Sequence, residues 1–122
     1  TKEQVKQFAA TAKGLGMEVL LEIHDATELD HICDDTDFIG INNRSLKTFE
    51  VNIDTSLQLV QQLPNDKIAI SESGISEPET IVQLENAGFK GFLLGEAFMR
   101  EKKPGVAFAH FVKSLKALRH AN

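Results

Sequence analysis

The chain has 122 residues, 42% of them hydrophobic and 25% charged, the balance of one globular domain over residues 1–122 burying roughly two-thirds of its unfolded surface. Thirteen basic residues against eighteen acidic ones give a formal net charge of −5, which argues against nonspecific attraction to nucleic acid or anionic lipid. Disorder and collagen-like repeats are excluded by the same composition, and the lone Cys33 makes neither an intramolecular disulfide nor a zinc or redox cluster. No apolar run approaches the ~18 residues of a membrane-spanning helix, and residues 1–13 read as a polar amphipathic segment instead of a signal peptide. A soluble, cytoplasmic protein is expected. The aromatics are all Phe, a poor supply of stacking platforms for single-stranded nucleic acid.

Residues 1–13 open with Thr1 and Gln4 in capping-box spacing and place Val5, Phe8, Ala9 and Ala12 at helical intervals before Gly14. Residues 17–23 then form a branched apolar run, and Asp25 with Glu28 predicts a capped helix through about Cys33. The pattern repeats: a strand over 37–42 and a helix over 54–63 closed by Pro64, then a strand over 67–73 and a helix over 77–86 capped by Ser76 and stopped by Gly88. A fourth strand over 91–95 leads through a short helical stretch into a long helix over 106–118. Cys33, Phe98 and Met99 are expected to pack against helices.

Near-continuous apolar strands alternating with helices predict an α/β fold with a parallel sheet, since right-handed crossovers lay a helix over each strand pair. Both an open doubly wound sheet and a barrel satisfy that pattern. A complete eight-stranded barrel typically needs ~250 residues, so four strand-helix units would make half of one.

Alternation places Leu20, Glu22 and His24 on one strand face and Val19, Leu21 and Ile23 on the other. A glutamate within a buried strand is costly unless paired or used, so Glu22 is either half of a buried ion pair or a working carboxylate. His24 shares its face and is a candidate ligand contact, whereas His31, His110 and His120 read as solvated. The second strand ends in the polar run from Asn42 to Ser45. Asn42 has the parity of Phe38 and Gly40; its amide either orients a substrate or closes an Asx turn. Arg44 suits a bidentate phosphate or carboxylate contact, or is a surface charge. The third strand brings a second carboxylate, Glu72, inward behind Ile68 and Ile70, followed by Ser73 and Gly74. Gly74 and the Gly95-Glu96 pair at the next strand end offer backbone N–H groups to one phosphate. The inward face is completed by Phe92 or Leu94. No nucleophile–base pair or metal-spaced cluster is present.

The stretches Glu18-Val-Leu-Leu-Glu-Ile-His-Asp25, Gly40-Ile-Asn-Asn-Arg-Ser-Leu-Lys-Thr-Phe-Glu-Val-Asn52, Ser71-Glu-Ser-Gly-Ile-Ser76 and Leu94-Gly-Glu-Ala97 resemble indole-3-glycerol phosphate synthase over essentially the whole chain. The resemblance implies the carboxyl-terminal half of a TIM (βα)8 barrel, strands five to eight. It implies a lyase of tryptophan biosynthesis that closes a pyrrole ring in 1-(2-carboxyphenylamino)-1-deoxyribulose 5-phosphate with loss of carbon dioxide and water, using no metal or organic cofactor. By motif, Glu22 is similar to the family's proton-transfer carboxylate and Asn42 to its substrate-orienting amide. Glu72 with Ser73 matches its polar pair, and Arg44 a substrate-side contact. Gly74, Gly95 and the backbone of Glu96 match its phosphate cradle, with the Glu96 carboxylate turned away from the anion. The family's strand-three lysine, its first-strand glutamate and lysine, and its substrate-closing helix have no counterpart here. The 122 residues alone are therefore expected to be inactive, partnered either by an amino-terminal half or by a second copy. Related phosphate-binding barrel enzymes fit the 40–52 stretch less well. A dinucleotide-binding sheet is disfavoured because Gly14-Leu-Gly16 precedes a strand instead of following one.

Overall fold

The computed structural model describes residues 1–45, 48 and 50–121; Leu46, Lys47 and Phe49, which belong to the 40–52 motif, and Asn122 lie outside the described residues. The chain opens with helix α1 (Lys2–Gly14), whose capping box between Thr1 and Gln4 forms as the sequence predicts. Strand β1 (Leu20–Ile23) is followed by a 3-10 helix (Ala26–His31), then β2 (Phe38–Asn42) and α2 (Ile53–Val60). Next come β3 (Ile68–Glu72), α3 (Pro78–Ala87), β4 (Gly91–Leu93), the one-turn helix α4 (Glu96–Met99) and α5 (Pro104–Ala121).

Among the described residues the strands form one parallel sheet in the order β1-β2-β3-β4. Its helix-covered face carries Ile23, Ile39, Ile41 and Ala69, packed against Leu59 and Val60 of α2, Ile81 and Leu84 of α3, and Phe89. This is the alternation expected for β1 to β3. The opposite face is uncovered, and Leu20, Ile68 and Leu93 on it are 44%, 43% and 48% exposed.

Several expectations change. In β4, Leu93 pairs with Glu72 and so shares its uncovered face, whereas Phe92 and Leu94 pack against the core beneath the helices; the inward residue is Leu93, not either of those two. Helix α3 takes Glu77, not Ser76, as its N-cap, and the cap makes no side-chain bond. Pro78 explains this, because a residue before proline is driven to the extended backbone that Glu77 adopts, φ −116° and ψ 136°. Phe98 does pack, edge-on against Phe108 and Phe111 at 5.3 Å, but Met99 is 74% exposed. His31 is half-buried, 3.8 Å from Asp30.

At the amino ends of the strands, Asp37 receives Lys13 Nζ at 2.7 Å and the Val19 N–H at 2.7 Å. Lys67 Nζ donates to the carbonyls of Thr36 and Asp34. These contacts tie α1, β1, β2 and β3 at the end remote from the polar strand termini.

Candidate functional site

The two strand carboxylates converge on the uncovered face. Glu22 pairs in register with Gly40, and Gly40 with Ile70. Glu72, one step further along β3, leans back over Gly40: a Cβ there would stand 1.9 Å from Glu72 Oε2. Glu72 can hold this pose only over a glycine at position 40, for reasons of space rather than backbone conformation. Burial, then the negative charge of Glu22 and contact with its carboxyl group, push the Glu72 carboxyl up from the usual carboxylate range. Glu72 is 8% exposed, and its Oε2 has no hydrogen-bond partner among the described residues.

His24 stands at the end of β1 between two carboxylates, with Nε2 3.0 Å from Glu22 Oε2 and Nδ1 3.2 Å from Glu28 Oε1. Glu28 does not close the capping box expected with Asp25. Its Oε1 accepts the main-chain N–H of His24 at 2.8 Å, while Asp25 caps the 3-10 helix through the Thr27 N–H.

At the end of β2, Asn42 closes the Asx turn, accepting the Arg44 N–H at 2.9 Å. Its carbonyl oxygen is thereby engaged and its Nδ2 is the group left to meet a substrate oxygen. The next residue, Asn43, is 3% exposed and makes the contacts that shape the site, a role the sequence reading missed. Its Nδ2 donates to Ser71 Oγ at 2.9 Å and to the Ser73 carbonyl at 2.8 Å, and its Oδ1 accepts from Ser56 Oγ at 2.6 Å. Its main chain donates to Glu72 O and accepts from Asn52 N, both at 2.8 Å. The signal available in the sequence was parity: Asn43 falls on the helix-covered side, where an amide must be fully bonded.

Ser73 and Gly74 both adopt left-handed backbone, φ 67° and 70°. A side chain at 74 would also collide with Val51, whose methyl carbons lie 2.6 Å from the position of its Cβ. Val51 is held there by an antiparallel bridge to Arg44. Beyond these residues opens a cleft of ≈ 540 Å³ at the carboxyl ends of β3 and β4, lined among others by Arg44, Glu72, Ser73, Gly74, Gly95 and Glu96. The expected phosphate residues are therefore brought together, joined by Arg100, which the sequence reading did not single out. The Glu96 carboxylate reaches Arg44, 3.6 Å from Nη2, instead of turning away from the cleft. Among the described residues no group of three or more His, Cys, Asp or Glu is arranged to hold a metal ion, and no helix is long and apolar enough to cross a membrane.

A parallel sheet clad by helices on one face, with polar groups gathered at the carboxyl ends of its strands, is a barrel-type α/β architecture. Two solved structures share it: the Amycolatopsis orientalis BexX/CysO complex (TM-score 0.69, 16% identity, 96% of this chain and 49% of that one) and native KDPGal (TM-score 0.66, 24% identity, 99% and 66%). The family model for indole-3-glycerol phosphate synthase matches residues 1–111. The synthase of Bacteroides thetaiotaomicron is 48% identical over 114 residues, covering 93% of this chain and 44% of that protein. The synthase of Variovorax paradoxus is 49% identical over 111 residues, covering 90% and 42%. The chain belongs to the indole-3-glycerol phosphate synthase family. It spans less than half the length of these relatives and matches their carboxyl-terminal portion.

Proposed function

We propose that the chain supplies the strand-five-to-eight half of an indole-3-glycerol phosphate synthase site in the cytoplasm, acting on 1-(2-carboxyphenylamino)-1-deoxyribulose 5-phosphate without metal or organic cofactor. The observation that carries this is the Glu22–Glu72 pair across Gly40. A carboxyl group disfavoured from ionising by burial and a neighbouring charge, beside a half-exposed carboxylate, is the arrangement that lets two like groups divide donor and acceptor roles. Glu22 serves as the proton-transfer carboxylate, and Asn42 orients a substrate oxygen through Nδ2. Glu72 and Ser73 face the ring being closed. Arg44 contacts the anionic substrate, and the main-chain N–H groups of Gly74, Gly95 and Glu96 hold its phosphate. For that, the Glu96 carboxylate must leave Arg44 when the anion arrives. A second half of the barrel supplies the principal acid, without which the chain does not turn over.

The phosphate assignment is tested by titrating inorganic phosphate into the chain while recording amide resonances. Movement of Gly74, Gly95 and Glu96 supports it; three unmoved resonances remove it.

The uncovered face favours a second reading, a noncatalytic half-barrel that pairs with itself. Leu20, Ile68 and Leu93 present apolar surface to water, and β1 and β4 each leave one backbone edge unpaired among the described strands. Two copies about a two-fold axis would cover both faces and approximate eight strands.

A further inference from the structure

Two buried side-chain atoms lack a hydrogen-bond partner among the described residues, His24 Nε2 and Glu72 Oε2. Glu22 lies between them. Its Oε2 is 3.0 Å from the histidine nitrogen, in ion-pair range but without the alignment of a formed hydrogen bond. Its side chain is 44% exposed, so a small rotation can complete that bond at low cost.

The other ring nitrogen is fixed. Glu28 Oε1 accepts the main-chain N–H of His24 at 2.8 Å, which identifies that atom as an acceptor. Nδ1, 3.2 Å from the same oxygen, must then carry the proton and donate it. With Nδ1–H committed to Glu28, Nε2 is the nitrogen that faces Glu22, and because a carboxylate oxygen only accepts, any hydrogen bond between them contains a proton on one side or the other.

We propose that His24, held in one tautomer by Glu28, is a positioning residue for Glu22 and exchanges a single proton with it between Nε2 and Oε2. This rests on Glu22 being the proton-transfer carboxylate. The transfer is balanced: the Nε2–H bond breaks as the Oε2–H bond forms, leaving a neutral ring beside a neutral carboxyl group, and the reverse step restores imidazolium and carboxylate. Glu22 can in this way pass one proton to the ring or regain it, while the proton count of the pair changes only by exchange with the substrate or with solvent. The charged groups facing the ring are Glu22 of the same strand, Glu28 of the 3-10 helix and Glu72 across Gly40. All three are acidic, and no basic side chain is among them.

The test is imidazole nitrogen NMR on the intact chain at mildly alkaline pH, where a neutral ring reports its tautomer. Free histidine favours the proton on Nε2; His24 is expected to show it on Nδ1. Glu28→Gln, whose amide oxygen still accepts, should keep that signature, and Glu28→Leu should abolish it. Glu22→Leu should move the Nε2 resonance while leaving the Nδ1 proton in place. In a barrel completed with a relative's amino-terminal half, Glu28→Leu should lower kcat at least about tenfold with KM little changed, and Glu28→Gln should retain most of the activity. An Nε2–H tautomer in the wild-type chain, or a Glu28→Leu variant with unaltered ring nitrogens, overturns the proposal. A completed barrel without turnover overturns the synthase reading instead and leaves the tautomer result to decide this one.

Discussion

Asn43 Nδ2 donates to the carbonyl oxygen of Ser73 at 2.8 Å, and Ser73 is the one described non-glycine residue with positive φ, at 67°. An L residue in that conformation is costly unless its surroundings hold it. Here a buried side-chain amide does so, and it also fastens Ser71 and Ser56, while the main-chain N–H of Asn43 donates to the Glu72 carbonyl. Asn43→Ala strands the hydroxyls of Ser56 and Ser71 in the core and releases Ser73. A loss of about 2–4 kcal/mol in urea unfolding is expected. A loss below about 0.5 kcal/mol would show that the latch is incidental.

Gly40→Ala separates fold from site. The added methyl meets the far end of the flexible Glu72 side chain, not backbone, so Glu72 can swing aside and the thermal midpoint should fall by only a few degrees. Carboxyl-carbon NMR should then show Glu72 titrating back toward the ordinary carboxylate range, because it has left both its burial and the charge of Glu22. A Glu72 titration unchanged from wild type contradicts the placement.

Gly74→Ala should be costlier than Gly40→Ala. The new side chain meets both a left-handed φ of 70° and the Val51 methyls. A destabilisation of about 1–3 kcal/mol is expected, read from chemical unfolding and partly relieved by Val51→Ala.

Stability should peak at mildly acidic pH, because two carboxylates pull in opposite directions. Glu72 has a raised folded pKa. Its contribution is full below the ordinary Glu range and is lost as pH rises through the folded value. Asp37 has a lowered folded pKa, through its hydrogen bonds with Lys13 and then the Val19 N–H. Its contribution is present above the ordinary Asp range and is lost as pH falls. Thermal melts across pH check this: Glu72→Gln should flatten the neutral-side decline, and Asp37→Asn the acid-side one.

Self-association follows the same charges. If two copies pair through their uncovered faces, Glu22 and Glu72 of each approach those of the other, and ionisation opposes pairing. Sedimentation equilibrium should find a dimer that is tighter at mildly acidic pH. A compact monomer at high concentration, binding no dye for exposed apolar surface, contradicts the pairing.

The order of strands and helices was legible because the first three strands have branched apolar runs and three of the helices have a stop, at Gly14, Pro64 and Gly88. Alternation also put Glu22, His24, Asn42 and Glu72 on one face correctly. It failed in β4, where Phe92, Leu93 and Leu94 are all apolar and parity leaves no mark. Position 28 was misread because a capping-box spacing says which residue reaches back, not whether it stops at Asp25 or continues to His24. Asn43 was passed over beside Asn42 because adjacent asparagines look alike until the sheet assigns them opposite faces.

The most direct measurement is turnover by a barrel completed with the amino-terminal half of a relative, comparing wild type with Glu22→Gln, a change that keeps the shape and removes the carboxylate. The chain alone should form no indoleglycerol phosphate, the completed barrel should form it, and Glu22→Gln should depress kcat by roughly 10²-fold or more with little change in KM. A completed barrel in which Glu22→Gln retains full turnover would contradict the account.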